Sequence, residues 1–219
     1  MSAEETECTD LKINNGTLEE YNGNSEHIVI PFGVRKIGKQ AFLHQQKITS
    51  VFIPETCTDI EEEAFYECTN LRDINFPDSL RKIGEGSFEL CQSLRSISIP
   101  ADVSEISSSA FYNCTGLENI IVDKENKHFC SSDGVLFNHT MTVLICYPAG
   151  KTGSKYLIPE GVKIIDEYAF SCCRYISEII IPGSVDSIVL SAVSFLLNPG
   201  QAEFIGEDNK IKKWVNDYL

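Results

Sequence analysis

The sequence has few basic residues, and this shortage limits the class of partner. Among 219 residues, 18 are Lys or Arg and 32 are Asp or Glu, so the formal net charge is −14 at pH 7. A surface of that sign repels phosphate backbones and anionic lipid headgroups. We therefore expect no binding to nucleic acid.

Long apolar runs are also missing. No stretch approaches the ~20 apolar residues of a membrane-spanning helix, so no membrane insertion is expected. The opening residues, MSAEETECTD, contain neither the basic segment nor the apolar segment of a secretory signal peptide. The chain as it stands is therefore expected to be cytoplasmic, whereas removal of an upstream leader would indicate a secreted or cell-surface protein.

The residue patterns that mark catalytic and metal sites are absent as well. The sequence contains no CxxC pair, no HExxH motif and no Ser in a GxSxG context, and its four histidines are scattered. We therefore expect no catalytic residue, no metal ligand and no cofactor. The protein is not interpreted as an enzyme.

What the sequence does contain is a repeat of 23 residues. An apolar residue followed by Pro recurs at that interval at four positions and then at two more, after an insertion of 36 residues: Ile30, Ile53, Phe76, Ile99, Ile158 and Ile181. Most units also carry a second apolar residue, a small residue before Phe, and a Cys at a fixed position. One unit cannot bury its own apolar residues, so successive units are expected to stack.

The last residues of each unit predict a short strand. In LRSISIP at 94–100, apolar and polar residues alternate, and the Pro that follows ends the strand. Strands of successive units would pair in parallel along one face of the stack. The AFxxC segment is too short for a long helix, so a single helical or 3-10 turn is expected on the other face. The predicted fold class is an α/β-type solenoid.

The recurring cysteines have three interpretations. Stacking would place Cys68, Cys91 and Cys114 in a row rather than around a point, which favours a buried ladder, because free cysteine packs as a small apolar residue. Disulfides form the second interpretation, either between neighbouring units or between Cys130 and Cys146 beside the insertion. A metal site is the third, and the lack of a CxxC pair counts against it.

We predict one continuous domain built from five segments. These are an N-terminal tail and β-hairpin cap at 1–29, repeats one to four at 30–121, a β-hairpin insertion at 122–157, repeats five and six at 158–200, and a C-terminal capping helix at 201–219. The helix is predicted from four residues at helical spacing: Ile211, Trp214, Val215 and Tyr218.

The consensus IPxxVxxIGxxAFxxCxxLxxI resembles the BspA-like class of leucine-rich repeats over about residues 28–200. The first unit departs from it with Gln45 in place of Cys, and the sixth with Val193 in place of Phe. The resemblance implies a right-handed, curved solenoid with a parallel sheet on one face. It also implies adhesin-like recognition of a protein or glycan, and a host matrix or cell-surface protein is one candidate partner. We expect a monomer.

The outward strand positions are the candidate binding residues. They form two columns: Ser50, Phe52, Asp73, Asn75, Ser96, Ser98, Asn119, Ile121, Glu178 and Ile180. Three of these, Phe52, Ile121 and Ile180, are apolar where a side chain should face solvent, which can mark a contact surface. The alternative is that the N-terminal cap or the insertion covers them. Two functions remain open, an adhesin-type binding module and a cytoplasmic protein–protein interaction scaffold.

Overall fold

The structure is a computed structural model, and it describes residues 10–189, 191 and 203–206. Within these residues the chain forms short strands and no α-helix. None of the described residues belongs to a helix with the length and apolar character that a membrane crossing needs. The fold is a β-solenoid whose successive turns pair in parallel.

The first set of strands lies at the end of each repeat. It comprises β3 (His27–Val29), β5 (Ser50–Phe52), β7 (Asp73–Ile74), β9 (Ser96–Ile99), β11 (Asn119–Val122), β15 (Lys155–Leu157), β17 (Glu178–Ile181) and β19 (Glu203–Gly206). The parallel sheets are β3-β5-β7, β9-β11 and β15-β17-β19. We call this surface the long-strand face. The strands predicted from the alternating pattern are found here.

A second set of strands was not predicted. It comprises the two-residue strands β4 (Lys36–Ile37), β6 (Asp59–Ile60), β8 (Lys82–Ile83), β10 (Glu105–Ile106), β16 (Ile164–Ile165) and β18 (Ser187–Ile188). They pair in parallel in the order β4-β6-β8-β10 and β16-β18. We call this surface the short-strand face. The solenoid therefore has parallel strands on two faces, where the sequence predicted one.

The AFxxC segments form successive turns, and the helical or 3-10 turn predicted there is not found. Ala64 N donates to Glu61 O within its own repeat at 3.3 Å, whereas Phe65 N donates to Ser87 O of the next repeat at 2.8 Å. Glu63 adopts a φ of 54°, a left-handed conformation that costs a non-glycine residue about 1 kcal/mol or more. That conformation interrupts a helix and directs alternate N–H groups to the next repeat.

The remaining strands form antiparallel pairs at two places. They are β1 (Leu11–Asn14) with β2 (Thr17–Tyr21), and β12 (Phe129–Ser132) with β13 (Val135–Asn138) and β14 (Val143–Cys146). β2 then pairs in parallel with β4, and β14 with β16. Each antiparallel segment therefore delivers one strand into a parallel ladder of the short-strand face.

Aromatic rings stack through the interior. The ring centroids of Phe42 and Phe65 are 4.9 Å apart, those of Phe65 and Phe88 5.2 Å, and those of Phe88 and Phe111 5.9 Å. Tyr21 precedes Phe42 in this stack, with its centroid at 5.5 Å. Each such pair stabilises the fold by about 0.5–1.5 kcal/mol beyond its buried area. The Phe column thus joins neighbouring repeats.

The C-terminal segment is described only in part. The four residues on which the capping helix was predicted lie outside the described residues. Within 201–219, Glu203–Gly206 form β19, which pairs in parallel with β17. The long-strand face therefore extends past the last Pro-marked repeat.

Candidate functional site

Alternation along the strands of the long-strand face divides its side chains between core and surface. In β9, Ser96 and Ser98 are exposed while Ile97 and Ile99 are buried. The backbone pairing fixes the columns, because Ser96 and Ser98 lie opposite Asn119 and Ile121 of β11. A row of outward side chains from successive repeats therefore shares one surface.

The structure brings the predicted site residues onto that surface. Six are exposed: Phe52, Asp73, Ser96, Ser98, Asn119 and Ile121. Four are half-buried: Ser50, Asn75, Glu178 and Ile180. Phe52 and Ile121 each keep 54% of their surface exposed, so neither residues 10–29 of the N-terminal segment nor the insertion covers them.

Four residues on the same surface were missed by the sequence analysis. His27 and Val29 lie opposite Ser50 and Phe52, and Lys155 and Leu157 lie opposite Glu178 and Ile180. His27 and Lys155 lie three positions before the isoleucine of the next Ile-Pro pair, and Val29 and Leu157 lie one position before it. The predicted residues lie at the same two distances before the apolar residue that opens the next unit. Extending the two columns to those strands would have identified them.

Two apolar pairs lie toward opposite ends of the surface. Val29 is 67% exposed beside Phe52, and Leu157 is 62% exposed beside Ile180. Between these pairs, the same column carries the polar residues Asn75 and Ser98 and then the apolar Ile121. The surface therefore presents apolar anchors around a polar centre.

Several polar side chains of this surface already have partners. His27 Nδ1 is 2.8 Å from Ser50 Oγ, and Lys155 Nζ donates to Glu178 Oε1 at 2.6 Å. Asn75 Nδ2 donates to Ile53 O at 2.8 Å, and Ile53 N donates to Asn75 Oδ1 at 2.7 Å. The side chain of Asn75 thus makes the two bonds to Ile53 that a neighbouring strand's backbone would otherwise make. Asn75 directly follows β7, the last strand of the sheet β3-β5-β7.

The cysteine ladder is found as predicted, and its thiols make hydrogen bonds that were not predicted. The Sγ atoms donate to phenylalanine carbonyls of the preceding repeat: Cys68 to Phe42 O at 3.1 Å, Cys91 to Phe65 O at 3.2 Å and Cys114 to Phe88 O at 3.0 Å. All three cysteines are fully buried. The ladder is therefore both a packing column and a chain of side-chain-to-backbone bonds.

The eight cysteines that the structure describes do not form the alternative sites considered from the sequence. The described cysteines, Cys130 and Cys146 included, are free. No three His, Cys, Asp or Glu side chains in the described part of the chain are grouped as metal ligands would be. Burial raises the pKa of Cys68 to about 12, so little thiolate, the nucleophilic form, is present at neutral pH.

A cleft beside the turns collects acidic and aromatic side chains. It is lined by Glu63, Glu85 and Glu89 together with Tyr112 and Tyr168, whose ring centroids are 5.2 Å apart. Burial raises the pKa of Glu89, and the charges of the two neighbouring glutamates raise it further. Ionised Glu89 is therefore destabilised by its surroundings.

The family can now be assigned from the repeat and the fold together. The model of the BspA type leucine rich repeat region matches residues 12–139 and 151–214, in six copies. The chain belongs to this family of leucine-rich repeat proteins. Among curated proteins, none matches the chain.

Solved bacterial structures share the fold. A leucine-rich repeat protein from Eubacterium ventriosum is 24% identical, with 87% of this chain and 61% of that chain covered and a TM-score of 0.67. The T. pallidum leucine rich repeat protein is 23% identical, with coverages of 92% and 87% and a TM-score of 0.57. The pneumococcal vaccine antigen PcpA is 21% identical, with coverages of 86% and 62% and a TM-score of 0.54. This chain thus spans about three fifths of the first and third of these proteins.

Proposed function

We propose that this leucine-rich repeat protein is a non-enzymatic binding module that recognises a protein partner through the long-strand face. One observation carries the proposal. Eight large apolar side chains are exposed among the described residues, and four of them lie in a single column of this face: Val29, Phe52, Ile121 and Leu157. Exposed apolar residues gathered on one surface are typical of protein contacts.

The arrangement fits a protein partner better than a uniformly polar ligand. The apolar pairs Val29–Phe52 and Leu157–Ile180 offer anchors at both ends, and the polar residues between them offer hydrogen bonds. Interfaces of this kind depend on a few buried anchors surrounded by weaker contacts. Adhesin-like binding of a host matrix or cell-surface protein is the form of this function that we propose first.

The test replaces one residue of each apolar pair, together with Ile121, and measures binding. The triple variant Phe52→Ala, Ile121→Ala, Ile180→Ala and the wild type are presented in parallel to immobilised matrix proteins and to cytosolic lysate proteins. Loss of about 1.4 kcal/mol at one anchor weakens binding about tenfold, so the triple variant should lose most of its binding. The matched control is Phe32→Ala, because Phe32 is 84% exposed and lies outside the column.

Two results would count against the proposal. In the first, the triple variant binds as the wild type does while its circular dichroism spectrum shows an intact fold. In the second, Phe32→Ala weakens binding as much as the triple variant. Either result would move the contact surface away from the outward columns of the long-strand face.

A second candidate function is a cytoplasmic interaction scaffold that uses the same face. The observation that favours it is the free state of all the described cysteines, which fits a reducing compartment. Retention of cytosolic proteins, with no retention of matrix proteins, would select this function. The reverse outcome would select adhesion.

A further inference from the structure

The short-strand face has a regular pattern of bonding between repeats. The carbonyl that precedes β4, β6 or β8 accepts N–H groups of the following repeat. Arg35 O accepts Thr58 N at 2.8 Å, Thr58 O accepts Arg81 N at 2.8 Å, and Arg81 O accepts Ser104 N at 2.9 Å. Each repeat therefore presents acceptors that the next repeat fills.

This pattern stops at β10. Among the described residues, no N–H group donates to Ser104 O or to Ile106 O, the acceptors that β10 presents to a following strand. Of the described strands, only β8 pairs with β10, which therefore ends the sheet. The edge of β10 is therefore an open position in the ladder, bounded by unpaired carbonyls.

The insertion explains why no strand follows β10 in the part of the chain that the structure describes. Asn126 Nδ2 donates to Pro100 O at 2.8 Å and to Val103 O at 2.9 Å, so the chain still follows the solenoid at this residue. It then departs into β12 and β13, and the next parallel strand, β14, belongs to another sheet. No described strand pairs with the free side of β10, although Phe129, which stands 23 residues after Ile106 and opens β12, lines the groove there.

Burial of the isoleucine column is incomplete at the same place. Ile37, Ile60 and Ile83 are buried in β4, β6 and β8, whereas the equivalent Ile106 of β10 is only half-buried. Ile106 lines a surface groove together with Lys82, Glu105 and Phe129. An added strand with an aliphatic side chain would complete the burial that each earlier repeat receives.

The charges of the ladder indicate which residue belongs beside β10. In β4, β6, β8 and β10, the residue before the isoleucine alternates in sign: Lys36, Asp59, Lys82 and Glu105. Neighbours of opposite sign approach each other, with Lys36 Nζ 3.9 Å from Asp59 Oδ2 and Lys82 Nζ 3.4 Å from Glu105 Oε2. The next member of this series, opposite Glu105, would be basic.

We propose that the open edge of β10 is a second interaction site, which takes up an extended segment of a partner protein as an added parallel strand. The segment carries a basic residue opposite Glu105 followed by an aliphatic residue opposite Ile106. Its backbone N–H groups donate to Ser104 O and Ile106 O, and main-chain bonds of this type are the basis of strand addition at sheet edges. This site is independent of the long-strand face.

The test uses the full chain and a peptide with the sequence of residues 33–40, GVRKIGKQ, whose native strand already carries the Lys-Ile pair. Binding of the dye-labelled peptide is measured by fluorescence anisotropy. The controls are a scrambled peptide of equal charge and a peptide N-methylated at its first lysine, which removes one donor and keeps the side chain. Both controls are expected to bind at least about fivefold more weakly.

A charge reversal in the protein tests the register. Glu105→Lys should weaken binding of the Lys-Ile peptide by about fivefold, the upper range for an exposed ion pair, and should favour a peptide in which Asp replaces that lysine. Glu118→Lys is the matched control, because Glu118 is partly exposed and pairs with Arg95 at 3.2 Å, away from β10. It changes the net charge equally and should leave peptide binding unchanged.

Three outcomes would overturn the proposal. The first is no binding of the Lys-Ile peptide, or equal binding of the scrambled and N-methylated peptides. The second is an equal loss of peptide binding in Glu118→Lys, which would show that the effect comes from net charge alone. The third is a concentration-dependent dimer in sedimentation that Glu105→Lys dissociates, which would assign the edge to a second copy of this chain.

Discussion

Replacement of Cys91 with alanine tests whether the thiol ladder stabilises the stack of repeats. Cys91 is fully buried, and its Sγ donates to Phe65 O at 3.2 Å. The variant loses the transfer free energy of the sulfur, part of a cavity term and one weak hydrogen bond. Phe65 O still accepts Cys68 N at 3.2 Å, so it is not left without a donor. The expected loss is about 1–3 kcal/mol of unfolding free energy.

The assay is urea unfolding followed by circular dichroism. The slope of the transition, the m-value, is compared between variants to check that unfolding stays cooperative. The matched control is Cys130→Ala. Cys130 is half-buried, and its Sγ donates to Asn138 O at 3.2 Å, so a similar bond is lost with less burial. Cys91→Ala should cost clearly more than Cys130→Ala and should leave binding at the long-strand face unchanged.

The reasoning would be refuted by either of two results. If Cys91→Ala changes the unfolding free energy by less than about 0.5 kcal/mol, the size of a typical surface effect, the ladder does not hold the repeats together. If the variant keeps its stability and loses partner binding, the recurring cysteine acts chemically and its interpretation as a core residue is wrong.

Three further predictions follow from single contacts. Because its surroundings raise the pKa of Glu89 above the unfolded value, ionisation destabilises the folded state. Glu89→Gln should therefore raise the unfolding free energy at pH 7, and this gain should disappear in urea titrations as the pH falls below about 4.3, the usual pKa of an unfolded glutamate. Asn75→Ala removes two hydrogen bonds to Ile53 and should cost about 1–3 kcal/mol, with faster hydrogen exchange at the Ile53 amide; unchanged exchange would contradict the assignment. In native protein treated with iodoacetamide, mass spectrometry should find Cys130 alkylated before Cys91, and equal rates would show that the ladder opens.

The interval of 23 residues predicted the long-strand face and the register of its columns. A fixed interval means that residues at one position in each unit must lie beside one another once the units stack. Ser96 and Ser98 were therefore assigned outward, and Cys68, Cys91 and Cys114 in a row, from the sequence alone. The same interval extends to His27 and Lys155, 23 residues before Ser50 and Glu178, although neither residue was predicted.

The short-strand face could not be predicted because its strands have two residues each. A pair such as Lys36-Ile37 or Glu105-Ile106 is too short to show the alternation that identifies a strand. The turns were mispredicted for another reason. A left-handed φ at a residue such as Glu63 is unfavourable by itself, and the hydrogen bonds to the next repeat are visible only in the stacked structure.

The sequence by itself determined the repeat, its family and the inward position of its Phe and Cys columns, because those features depend on local order along the chain. Tertiary structure alone decided how far the apolar residues Phe52 and Ile121 are exposed. It also decided that the ladder of short strands stops at β10, since an insertion that rejoins the solenoid elsewhere determines which strand edges are left open. Exposure and open edges depend on which distant segments of the chain cover a surface, and the local sequence does not specify those segments.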